Sequence, residues 1–134
     1  MNQDSNILAL DVGEKRIGVA ISGGGVRIAR PLTTILVDQN EVTAITGLIV
    51  SESIDTVVVG YPRNQSGEPT NQTHFVEVFT QRLQEATEVN IVFQDESLTS
   101  VLAEERLKSY GRPYNKEDID AQAATIILQD YLER

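Results

Sequence analysis

The 134-residue chain contains no cysteine. Disulfides, thiolate zinc sites and thiol nucleophiles are therefore excluded from the start. There is a single histidine, His74, so neither a His–His zinc motif nor any site needing two imidazoles can be assembled. A metal bound here must be held by carboxylates, which selects a hard ion such as Mg2+ or Mn2+. No apolar run reaches the roughly 18 residues that a membrane helix requires. Residues 1–5 are polar, without a basic start leading into an apolar stretch, which predicts a cytoplasmic protein with no signal peptide and no membrane partner. Positive charge is also scarce: 11 Lys and Arg against 20 Asp and Glu give a formal net charge of −9. That sum argues against a nucleic-acid substrate, because nucleic-acid-binding proteins ordinarily carry a basic footprint. The distribution softens the objection. Lys15, Arg16, Arg27 and Arg30 occupy a stretch with no acid, and so do Arg106, Lys108, Arg112 and Lys116. Both stretches can equally be read as ordinary surface.

What is present is an ordinary soluble composition, 40% hydrophobic and 23% charged, at a length that suits one domain spanning 1–134. Ile7 to Val12 is a near-continuous apolar run and reads as a buried central strand. Ile17, Val19 and Ile21 alternate with small residues as a second strand, Ser22-Gly23-Gly24-Gly25 signals a turn, and Val26 to Ala29 reads as a third strand stopped by Pro31. Short turns between the three imply an antiparallel meander. Val42, Ile45, Leu48 and Ile49 recur at helical spacing; Ile54 to Gly60 is a β-branched strand; Tyr61 to Gln72 reads as a mobile polar loop. A helix through Phe75, Phe79, Leu83 and Ala86, a strand from Val89 to Phe93, a helix ending near Gly111 and a last helix follow. Ser97, Thr99 and Ser100 offer capping hydroxyls. The sequence thus predicts an α/β fold: a mixed five-stranded sheet, three antiparallel strands followed by strand–helix alternation, with helices packed on it.

Three carboxylates stand in unusual places. Asp11 interrupts an apolar strand, where a charge is costly unless it is paired, hydrogen-bonded or metal-bound; by itself it is also a good turn residue before Gly13. Glu96 follows a strand and precedes a helix, a position that acids also occupy to complement the helix dipole. Asp120 shares a face of the last helix with Ala124, Ile127 and Tyr131, which turns it toward the sheet. Neighbouring Glu117 and Asp118 suit a capping role better. Strand ends near a crossover collect functional groups, and three carboxylates converging there repel one another unless a divalent cation sits among them. One or two Mg2+ or Mn2+ ions, the pair roughly 3.5–4 Å apart, are the form in which such clusters hydrolyse phosphodiesters.

The segment Asp11-Val12-Gly13-Glu14-Lys15-Arg16-Ile17-Gly18-Val19-Ala20 resembles the opening motif of the YqgF family. Gly60-Tyr61-Pro62-Arg63-Asn64 with Gly67 resembles that family's glycine–x–proline loop, Asp95-Glu96-Ser97-Leu98-Thr99-Ser100 its Asp-Glu-Arg-Leu-Thr-Thr segment, and Ile119-Asp120 through Leu132 its C-terminal helix. The resemblance covers about Ile7 to Leu132, with the motifs in family order. These are bacterial proteins described as pre-16S ribosomal RNA nucleases and earlier as Holliday-junction resolvases. The resemblance implies a ribonuclease H-like fold, Asp11, Glu96 and Asp120 as catalytic and metal-binding carboxylates, and trimming of the 5′ end of pre-16S rRNA in ribosome biogenesis. Lys15, Arg16 and Arg63 are the candidates for phosphate contacts, as a point charge and bidentate forks; for Arg16 a structural salt bridge is the competing reading. Three departures bear on substrate contacts: Ser97 stands where the family has arginine, Tyr61 where an apolar residue is common, and the turn Gly23-Gly24-Gly25 is short on charge. The competing functions are a resolvase-type DNA endonuclease, which needs a dimer, a nucleotide-binding module, for which no Walker loop is present, and a non-catalytic rRNA-binding assembly factor. Expected partners are a ribosomal RNA precursor or other structured nucleic acid, with ribosomal proteins as further candidates and the chain a monomer or weak dimer.

Overall fold

A computed structural model describes residues 5–63, 66–96 and 99–134. Five strands form one sheet: β1 (Ile7–Val12), β2 (Arg16–Gly23), β3 (Val26–Leu36), β4 (Thr56–Pro62) and β5 (Asn90–Glu96), in the order β3-β2-β1-β4-β5. The first three run as an antiparallel meander, and β4 and β5 are parallel to β1. Four helices complete the described chain: α1 (Glu41–Ser51), α2 (Asn71–Ala86), α3 (Thr99–Ser109) and α4 (Lys116–Glu133). This is the mixed five-stranded sheet that the hydrophobic patterning predicts.

Strand side chains alternate between faces with period two, and that parity organises the molecule. On β1, Leu8, Leu10 and Val12 join Ile17, Val19 and Ile21 of β2 and Val57 and Val59 of β4 in a cluster closed by Ile45 and Ile49 of α1 and Val76, Phe79 and Leu83 of α2. The opposite parity, Ile7 and Ala9 of β1, Ala20 of β2 and Val58 of β4, packs on Ala124, Ile127, Leu128 and Leu132 of α4. The sheet meets α4 through small residues, Ala9, Gly18 and Ala20, so the helix lies close to it, and every residue from Ala121 to Leu128 is buried. α4 starts on a capping box: Asn115 Oδ1 accepts from the Asp118 N–H at 2.9 Å, and Asp118 Oδ2 accepts from the Asn115 N–H at 3.0 Å. Asp118 is therefore a cap residue, as its position suggests.

Several boundaries differ from the sequence expectation. β3 does not stop at Pro31 but runs on to Leu36. It is an edge strand, where a missing N–H is tolerated, and the register shift between Val19 and Ala20 absorbs the irregularity beside Pro31. The polar loop is shorter than Tyr61 to Gln72. Tyr61 and Pro62 finish β4, and α2 begins at Asn71 behind a capping box in which Thr70 and Thr73 satisfy each other's backbone N–H. β5 extends to Glu96, so that residue ends a strand rather than following it. Thr99 opens α3; Ser97, read as a further capping hydroxyl, and Asn64 of the glycine–x–proline loop lie outside the described residues.

Candidate nuclease site

Parity carries the site as well as the core. Asp11 continues the Ile7–Ala9 face of β1, Arg16 and Gly18 the Ala20 face of β2, Gly60 the Val58 face of β4, and Gln94 and Glu96 the same face of β5. All of them point toward α4, whose first turn brings Asp120 down over β2. The approach is so close that a Cβ placed on Gly18 would stand 1.9 Å from the Asp120 carbonyl oxygen. The carboxylates of Asp11, Glu96 and Asp120 consequently line one cleft of about 380 Å3 at the carboxyl ends of the parallel strands, together with Arg63 and Gln72. That is where open α/β sheets place ligands.

The electrostatics of this cleft are unfavourable for its own charges. Burial, then the charges of Glu96 and Asp120, push the Asp11 carboxyl up from 3.8 to about 8. Burial also raises Glu96, opposed by the hydrogen bond from the Thr99 side chain. Asp120 has found a cation: Arg16 Nε lies 2.5 Å from its Oδ2, both side chains being largely covered. This hydrogen bond and the charge of Asp120 hold the Arg16 guanidinium still more firmly protonated. Among the described residues, no three acids stand close enough together to enclose an ion as they are. The donor chemistry nevertheless fits a hard divalent cation: only oxygen ligands, two of them without a cationic partner among the described residues, in a partly desolvated cleft. Drawing in Asp120 requires it to exchange Arg16 for the ion, and it must do so by side-chain rotation because its backbone is seated against Gly18.

Two mutational expectations arise here. Arg16→Gln removes the competitor for Asp120, so affinity for Mn2+, followed by calorimetry, rises by up to about fivefold, the range of a partly exposed ion pair. In Gly60→Ala the new Cβ meets Glu96 Oε1 at 2.7 Å and Ile127 Cδ1 at 2.6 Å. This overpacks the junction of β4, β5 and α4, and urea unfolding should show a loss of about 1–3 kcal/mol. Gly47→Ala is the matched control: it sits in α1 with nothing within 4 Å and should be neutral or stabilising by up to about 1 kcal/mol.

The substrate-contact candidates fare differently. Arg16 is engaged with Asp120, the salt-bridge arrangement that competes with phosphate binding. Lys15 is exposed in the turn after β1. Arg63 reaches the cleft, with Nε 3.1 Å from Asp95 Oδ1 and its guanidinium 4.8 Å from the centre of the Tyr61 ring, on an exposed ion pair. Tyr61 in turn packs edge-on against Phe93, ring centres 4.8 Å apart, so the residue that departs from the family pattern supports Arg63 from below. His74 is an exposed residue in the first turn of α2. Sequence reasoning misses Gln72, which donates from Nε2 to the Val12 carbonyl at 2.9 Å and so ties α2 to the end of β1. It also misses Gln94, whose buried Oε1 has no hydrogen-bond partner among the described residues. Strand parity with Glu96 is the signal that finds Gln94; nothing local marks Gln72.

The fold is ribonuclease H-like. Solved structures of similar architecture include Thermus thermophilus RuvC in complex with a Holliday junction substrate, with a TM-score of 0.61, 14% identity, and 96% of this chain and 94% of that one covered. Fowlpox virus resolvase with its junction DNA follows, with a TM-score of 0.55, 11% identity, and 96% and 97% covered. At sequence level the chain belongs to the RuvX family, described as a Holliday junction resolvase, whose sequence model matches residues 5–134. Full-length relatives carry the name "Putative pre-16S rRNA nuclease". One from Chloroflexus aurantiacus is 46% identical, covering 97% of this chain and 88% of that protein. One from Synechocystis is 40% identical, covering 99% and 90%.

Proposed function

We propose that Asp11, Glu96 and Asp120 form the catalytic centre of a nuclease that hydrolyses phosphodiester bonds in the 5′-end maturation of pre-16S rRNA. The reading covers residues 1–134 as one nuclease domain, acting in the cytoplasm as a monomer or weak dimer. The observation that carries it is Asp11, a carboxyl on a buried strand face, raised to about 8 by burial and two further carboxylates in an open cleft. A structural acid would be paired, whereas this one is left with its repulsions. Membership of the family and the names of its relatives supply the substrate class.

Asp11, Glu96 and Asp120 would hold one or two Mg2+ or Mn2+ ions, which when bound stabilise charge on the phosphate and lower the pKa of a water molecule. The remaining work falls to this chain's residues. Thr99, at the start of α3, favours the charged form of Glu96. Arg16, released from Asp120, and Arg63, reaching in from the loop after β4, bind phosphates flanking the scissile bond. Lys15 adds a point charge at the turn. Hydrolysis breaks one P–O bond, water adds its oxygen to phosphorus, and the leaving oxygen ends protonated.

The test is cleavage of a 5′-extended 16S rRNA precursor at low salt, where an acidic protein loses least affinity. Mg2+, Mn2+ and EDTA arms run in parallel, with a four-way DNA junction as competitor. Metal-dependent RNA cutting supports the reading. Preferential cutting of the junction favours the resolvase activity after which the family is described. Tight RNA or ribosome binding without cutting of either would leave an assembly factor.

A further inference from the structure

The acid-free stretch Arg106–Lys116 does not enter the carboxylate cleft. It forms the end of α3 and the corner leading into α4, and beside it a second cavity of about 280 Å3 opens against β3. Pro31, Tyr110, Arg112, Tyr114, Asp118 and Gln122 line it. Gln122 is 6% exposed. Among the described residues its side-chain amide has no hydrogen-bond partner, yet it is not sealed from solvent. Such an amide is met by water in the cavity, and a ligand that replaces this water must offer it hydrogen bonds in return. Gln122 is part of the lining of this cavity. Tyr110, 48% exposed, stands at the mouth, with the Arg112 guanidinium 5.7 Å from its ring centre. Tyr114 is fixed by donating from its hydroxyl to Glu104 Oε2 at 2.9 Å, which presents its ring as a rigid wall.

The chemistry of this lining selects its occupant. Asp118 in the lining disfavours a phosphate inside, while the Arg112 guanidinium, held beside the exposed Tyr110 ring, offers one a contact at the opening. A flat, neutral, hydrogen-bonding group therefore goes in, and its phosphates stay outside. The volume is at the small end of ligand pockets and suits one ring system rather than a larger ligand. An amide reads a base edge by paired donor and acceptor, and a tyrosine ring offers a stacking face. α4 carries both Asp120 and Gln122, so the cavity is rigidly tied to the cleft.

We propose that this cavity is a pocket for a single unstacked nucleobase of the substrate strand, read by Gln122, stacked on Tyr110 and followed by backbone contacts to Arg112 and Lys116. The proposal rests on the nuclease reading and adds a determinant of where on the RNA the cleft is placed. It also explains how a chain of net charge −9 holds a polyanion: stacking supplies affinity that the overall field does not.

The experiment is photocrosslinking of a short single-stranded RNA, with 4-thiouridine scanned through its length, to the full chain in EDTA at low salt. Adducts are mapped by mass spectrometry, and affinities are measured for wild type, Tyr110→Ala and Tyr110→Phe. The expected result is adducts on residues 110–122 from one position of the RNA, about tenfold weaker binding for Tyr110→Ala, the range of one lost base–aromatic stack, and near wild-type binding for Tyr110→Phe. Tyr110 is exposed, so neither variant endangers the fold. Adducts confined to cleft residues such as Arg63 and Gln72, with Tyr110→Ala binding within twofold of wild type, would overturn the pocket and leave the nuclease reading standing. No adducts and no RNA binding would overturn both.

Discussion

Asp11→Asn is expected to abolish cleavage and, in the absence of metal, to make the protein more stable. Loss of even an outer partner of a metal ligand costs 10- to 100-fold, so removing the central carboxylate should exceed about 100-fold in rate. The stability gain has the opposite logic. In the unfolded chain an aspartate titrates near 3.8; in the folded protein burial, Glu96 and Asp120 move Asp11 to about 8. Between those values the folded state binds a proton that the unfolded state has lost, so stability falls as pH rises. The carboxyl is harmless below about pH 4. Its cost then grows by up to about 1.4 kcal/mol per pH unit and levels off above pH 8, in total on the order of a few kcal/mol once partial solvent access is allowed for. Asparagine matches the shape and never ionises. Urea unfolding in EDTA from pH 4.5 to 8.5 should therefore show the variant and wild type drawing apart as pH rises, with the variant ahead. Adding Mn2+ should restore the wild type and leave the variant unchanged, because a ligand stabilises only the state that binds it. A stability difference independent of pH would mean that Asp11 does not bear the repulsion assigned to it.

Much of this site is legible in the sequence for one physical reason. Where a strand is buried on both faces, an interrupting carboxylate is conspicuous, and Asp11 is such a residue. Once strands are assigned, period two does the rest: Asp11 shares a face with Ala9, and Glu96 with Val92. Asp120 is found by the helical period through Ala124 and Ile127. What stays hidden is non-local. The length of β3 past Pro31 depends on its edge position, which no window of residues contains. The beginning of α2 depends on a Thr70–Thr73 capping box that lacks the usual acidic partner. That Arg16 meets Asp120 across 104 residues is a consequence of where α4 crosses β2. The same crossing separates Asp120 from an ordinary dipole-complementing acid, a distinction that composition and spacing alone leave open.

Gly18→Ala should be the most disruptive single substitution outside the large apolar core residues, and the reason is that crossing. Gly18 has no positive φ, so alanine is not excluded by its backbone conformation; the obstacle is space alone. The new Cβ would lie 1.9 Å from the carbonyl oxygen of Asp120, 2.3 Å from its carbon and 2.9 Å from the Ala121 nitrogen. All three are backbone atoms of α4, with no rotamer to escape into, so the helix must retreat by more than an ångström or β2 must bend away. Either movement loosens the run Ala121–Leu128, whose eight residues are all buried, and such packing losses are not repaired locally. A loss above the usual 1–3 kcal/mol of overpacking is expected, read as a lower urea midpoint, with Gly47→Ala as the control whose midpoint does not fall. Where enough variant folds to assay, its Mn2+ affinity should fall together with stability, although no carboxylate, arginine or hydrogen-bonding side chain has been touched. Asp120 reaches the cleft through the seat of α4 on β2, and moving that seat moves the carboxylate proposed as a ligand. A Gly18→Ala protein of wild-type stability with intact Mn2+ binding would show that α4 does not dock on β2 at Gly18, and with it the placement of Asp120 beside Asp11 and Arg16 would fall.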